Sequence, residues 1–134
     1  MTNEKYQNVM ESYQRCWVQP AFFDELYNFF INSSPEIKVF FQNTDFKKQN
    51  LLLRVGLLYM VSFAQTEDLY REKIEELGVL HGRSRLNIRP ELYPLWVDSL
   101  MKVVRKHDAH FNDELEKSWR EALQKGIDVM ISKY

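Results

Sequence analysis

An all-α domain is the fold class this sequence predicts, and three observations predict it. Apolar residues recur with the 3.6-residue period of a helix face along most of the chain, no Asn-Gly or Asp-Gly pair offers a tight hairpin turn, and prolines and N-cap residues mark helix starts at regular intervals. At 134 residues, 45% hydrophobic and 14% aromatic, the chain supports one core, so a single domain over residues 1–134 is expected.

The elements follow in order. A first helix spans roughly 3–18, and Pro20 opens a second near 20–32, since a first-turn proline gives up only an N–H that the helix leaves unsatisfied. Ser34-Pro35-Glu36 reads as an N-cap, a proline at the first helical position and an acid at the positive helix end, which starts a short helix near 35–41. Thr44-Asp45, Thr66-Glu67-Asp68 and Asn112-Asp113-Glu114 each supply a cap-type residue followed by acids, and place helices near 45–65, 67–81 and 112–132. Pro90 starts a helix near 90–108, and Pro94 removes a donor in its opening turns and bends it locally. These are about seven helices of unequal length, which do not suit a simple up-down bundle.

Composition excludes several function classes. A net charge of −1 provides no basic field for nucleic acid or anionic lipid. Cys16 is the only cysteine, and the opening MTNEKYQNVM is too polar for a secretory signal, so a reducing cytoplasm is the expected location. The most apolar run, NLLLRVGLLYMVSFA, is broken by Arg54 and falls short of the roughly 18 residues that span a bilayer. The four glycines are too scattered to cradle a phosphate. Cys16, His81, His107 and His110 lack zinc-site spacing, no histidine has a glutamate three residues before it as a di-iron pair requires, and Ser84 near His81 has no nucleophile-elbow glycines.

Three helical stripes carry a polar residue each. Phe23, Tyr27 and Phe30 fall at i, i+4 and i+7; Phe46, Gln49, Leu53 and Met60 at i, i+3, i+7 and i+14; Ile74, Leu77 and His81 at i, i+3 and i+7. A buried phenol, amide or imidazole costs a few kcal/mol if unpaired, so each should find a partner. Taken alone, each reads as a core polar residue satisfied by a neighbour. A single imidazole facing apolar surroundings, with no second metal-type ligand, also suits a haem iron held by one protein ligand.

Here the chain resembles the globin family, and is similar to single-domain bacterial haemoglobins over nearly its whole length. The resemblance rests on FFDELYNFFINSSPEIKVFF, KKQNLLLRVGLLYM, LGVLHGRSRLNIRPELYPLW and SWREALQKGIDVM in that order, with Gln49 and His81 standing 32 residues apart. It implies a globin fold packed around a haem pocket, with His81 as the iron ligand and the Leu77 carbonyl accepting from its other ring nitrogen. It places Phe41 on the porphyrin, Leu53 on the distal side and Ile88 at the proximal ring edge, and assigns one of Arg83, Arg85 and Arg89 to the haem propionates. Tyr27 and Gln49 would donate hydrogen bonds to bound dioxygen. Tyr93 matches a tyrosine that in relatives contacts the proximal histidine and a late glutamate, but the matching late position here is Tyr134, and the corner after His81 is about two residues longer. Both departures weigh against a strongly anionic, peroxidase-like proximal ligand. The cofactor would be non-covalent haem b, iron protoporphyrin IX, since there is no Cys-x-x-Cys-His. The implied role is reversible binding of dioxygen and other diatomic gases, with nitric oxide as a further reactant. Nitric oxide dioxygenation would need a separate reductase, and a haem-based gas sensor or a haem-free interaction module acting through a partner is the alternative.

Overall fold

The computed structural model describes all 134 residues. Seven α-helices follow one another without strands: α1 (Asn3–Trp17), α2 (Phe22–Ile31), α3 (Pro35–Phe40), α4 (Phe46–Phe63), α5 (Glu67–His81), α6 (Tyr93–His107) and α7 (Asp113–Ser132). No helix is long and apolar enough to cross a membrane.

Local chemistry sets most of the boundaries. Ser34 Oγ accepts from the Glu36 amide at 3.2 Å, Asp45 Oδ1 from Lys47 at 3.1 Å, and Asn112 Oδ1 from Leu115 at 2.8 Å, so three caps stand where the sequence places cap residues. Thr66 occupies the N-cap of α5 but makes no capping bond through its side chain. Pro20 does not open α2. The Gln19 amide bonds the Cys16 carbonyl and the Phe22 amide bonds the Gln19 carbonyl, which makes residues 19–21 a turn and delays the helix to Phe22. The helix expected from Pro90 is likewise divided. Pro94 has no N–H to return to the Pro90 carbonyl, so residues Pro90–Leu92 close as a 3-10 turn and α6 begins at Tyr93 with Pro94 in its first turn.

Helices α1, α6 and α7 pack together, α2 lies on α6, and α4 and α5 pack on each other and on α7. The core includes Tyr13, Phe22, Phe23, Leu57, Phe63, Ile74, Leu100 and Trp119, all at 1% exposure or less. Arg54, which interrupts the most apolar run, sets its guanidinium 4.3 Å from the centre of the Phe23 ring and 5.1 Å from that of Trp17. Two features hold the helices in place. Gly78 lets α7 approach α5 closely, since a Cβ there would stand 2.9 Å from the Met130 Cα. The buried Asp108 carboxylate, after α6, accepts from Ser12 Oγ at 2.6 Å, from Arg15 at 2.6 and 2.9 Å, and from the His110 amide at 2.9 Å, while Trp119 Nε1 donates to Ser12 at 2.9 Å.

Burial alone would raise the Asp108 carboxyl pKa, but the Arg15, Ser12 and His110 donors outweigh it and hold the carboxyl below its usual range. A carboxylate held low stabilises the fold fully above the unfolded value of about 3.9, and that contribution is lost as pH falls from there through the folded value. Asp108→Asn should therefore lower stability at pH 7 by about 2–3 kcal/mol and flatten the acid limb of a denaturant series run from pH 7 to 2. An acid limb identical to that of the parent protein would remove Asp108 from the account.

Candidate functional site

Tyr27 in α2, Phe41 after α3 and Phe46 and Gln49 at the start of α4 form one cluster, and His81 ends α5, which packs on α4. His81 ends α5, where the run of residues after Thr66 keeps Ile74, Leu77 and His81 on one face. Its Nδ1 lies 2.8 Å from the Leu77 carbonyl. A carbonyl can only accept, so Nδ1 carries the proton and, in the neutral ring, Nε2 keeps its lone pair. Burial lowers the pKa of the ring from its ordinary value, opposed by the Leu77 carbonyl, so the imidazole is neutral at pH 7. No protein group pairs with Nε2.

Tyr27 is buried on α2, and its hydroxyl donates to the Gln49 main-chain carbonyl at 3.1 Å. Burial, opposed by the Gln49 side chain, pushes the phenol up to about 12, so it stays a donor at any ordinary pH. Phe41 and Phe46 stand 5.6 and 5.5 Å from its ring and stack 6.5 Å apart, and Phe30 meets Phe41 at 5.9 Å. The Gln49 side chain is half-buried, as are Leu53, Leu77 and Ile88, which pack against the edge of the core. One turn along α4, Leu57 is fully buried. The neighbouring Gly56 is half-buried, and an added Cβ there would meet nothing within 4 Å.

The remaining candidates are placed as follows. Tyr93 is buried at the start of α6, and burial alone pushes its phenol up to about 12. The Arg83 guanidinium lies 4.7 Å over the Tyr134 ring, and Arg85 borders an outer hollow with Glu72, Glu75, Glu76 and Lys133. Arg89 pairs with Glu36, Nε to Oε1 at 3.2 Å, and with Glu91. His107 Nε2 meets Glu25 at 2.9 Å, and His110 is exposed. No group of three or more His, Cys, Asp or Glu side chains could hold a metal ion.

Comparison with known proteins decides the family. The globin family model matches residues 24–130. The chain belongs to the globin family. It is similar to a crystal structure of a Pseudomonas aeruginosa PAO1 protein described as structurally highly homologous to a human haemoglobin. The two are 40% identical over 97% of this chain and 98% of that one, with a TM-score of 0.92. No curated protein matches.

Globins generally bind haem, and the residues of this globin fit the group. An unpartnered imidazole nitrogen, the stacked Phe41 and Phe46 rings, and half-buried Leu53, Leu77 and Ile88 are the kinds of group that a flat apolar ring with one protein ligand to its iron needs. The Glu36–Arg89 pair had no local signal, its partners being 53 residues apart. Leu53→Trp should leave the helical content of the haem-free globin intact while weakening haem uptake by roughly 10- to 100-fold, the effect of about 1–3 kcal/mol of overpacking. Undiminished uptake by a well-folded variant would place haem elsewhere.

Proposed function

We propose that this globin binds one haem b through His81 and holds dioxygen reversibly beside Tyr27 and Gln49. The observation that carries the proposal is His81 itself: a neutral imidazole whose Nδ1 is committed to Leu77 and whose Nε2 is free in half-buried, apolar surroundings. Haem, when bound, would supply an iron able to take a diatomic gas. The chain's own residues do the rest. The Leu77 carbonyl fixes the ring orientation and makes Nε2 the better donor to iron. Phe41 and Leu53 flank the ring and exclude water, which strengthens any hydrogen bond formed inside.

Tyr27 now gives its proton to a carbonyl within α4, where the helix ladder already occupies one lone pair of Gln49. The phenol is therefore a second donor there and can turn to the gas at small cost. The Gln49 side chain, half-buried on the same turn and already acting on the Tyr27 phenol, supplies an amide N–H. Dioxygen gains negative character when bound and responds to such donors, whereas carbon monoxide is nearly apolar and responds little.

His81→Ala should lose most haem, or retain it only with added imidazole, while His107→Ala and His110→Ala keep the parent spectrum. Equal loss in all three would sink the assignment. Tyr27→Phe should speed oxygen dissociation about tenfold and Gln49→Leu by a smaller factor, as expected for donors worth roughly 1 kcal/mol each, with carbon monoxide rates moving less. Oxygen off-rates unchanged in the double variant would show that the pair only packs.

A further inference from the structure

The carbonyls at the end of a helix lack intrahelical partners. At the end of α5 those of Val79, Leu80 and His81 are satisfied by the corner that follows. The Gly82 amide donates to Val79, Leu86 to Leu80 at 3.2 Å, Ile88 to His81 at 2.8 Å, and both Arg85 and Asn87 to Gly82, at 3.0 and 2.8 Å. The longer corner is thus the C-terminal cap of the turn that carries His81. Asn87 holds it together with φ of 52°, the one positive φ in the chain. Asparagine tolerates this left-handed region better than most residues but still does not prefer it.

What holds Asn87 comes from α7. The Tyr134 hydroxyl donates to Asn87 Oδ1 at 2.6 Å, the Arg83 guanidinium covers the Tyr134 ring at 4.7 Å, and the Arg83 amide donates to the Tyr134 main-chain oxygen at 3.3 Å. The approach is close enough that a Cβ on Gly82 would stand 3.1 Å from the Lys133 carbonyl oxygen.

We propose that Tyr134 is a positioning residue for the imidazole of His81. By fixing Asn87 in its left-handed conformation, it keeps the Ile88 amide on the His81 carbonyl and so keeps the last turn of α5 from fraying. Tyr134 acts through Asn87 and Ile88. The proposal rests on the reading of His81 as the haem ligand.

The test compares Tyr134→Phe, Asn87→Gly and the double variant. Glycine keeps the left-handed backbone accessible and removes only the acceptor, so it carries the test if Tyr134→Phe folds poorly. In the haem-free protein, hydrogen-exchange protection of the Ile88 amide should fall roughly 3- to 10-fold in each single variant, the effect of one lost hydrogen bond. In the haem-loaded ferrous protein, haem should be retained while the iron–histidine stretching band shifts or broadens. The double variant should be no worse than the more affected single one. An unmoved band in both single variants, even with faster exchange, would reduce the contact to structure and overturn the proposal, as would additive losses. A His81→Gly variant that keeps the parent haem spectrum would instead overturn the haem reading itself.

Discussion

The hydrogen bond from the His81 Nδ1–H to the Leu77 carbonyl, 2.8 Å long, is the interaction on which the site depends. It selects one tautomer, fixes the ring about its side-chain torsions, and leaves one basic nitrogen without a protein partner. The bond requires α5 to remain a regular helix through its last turn. That regularity comes from outside the helix: from α7, which Gly78 admits to near contact at Met130, and from the corner after His81, whose amides take the terminal carbonyls. A change that lifted α7 away would reach the imidazole without touching it.

On the other side of the site the constraint is polar burial. Tyr27 is 5% exposed beside Phe41 and Phe46, and an unpaired hydroxyl there would cost a few kcal/mol. The Gln49 carbonyl satisfies it. The result is a donor held in reserve, a different arrangement from the Ser12–Asp108–Arg15 network, where both carboxylate oxygens and the Ser12 hydroxyl are committed and the group joins α1 to the α6–α7 corner.

Much of this was legible in the sequence because its causes are local. Ser34, Asp45 and Asn112 announce helix starts through side chains that bond amides two or three residues on. The 3.6-residue period placed Tyr27, Gln49 and His81 on apolar faces. Local reasoning failed where two signals competed: Pro90 and Pro94 each suit a first turn, but four residues apart the second denies the first its helix bond. It failed again where the cause is a distant neighbour. The Arg83 guanidinium over Tyr134, and Asn87 with Tyr134, 47 residues away, have no signal in either segment.

The central claim is that this chain presents a bare imidazole nitrogen before any cofactor arrives. The direct measurement is a long-range proton–nitrogen correlation spectrum of the His81 ring in the haem-free protein at pH 7. The account predicts a neutral ring with its proton on Nδ1 and none on Nε2. A proton on Nε2, or a doubly protonated ring at that pH, would contradict it.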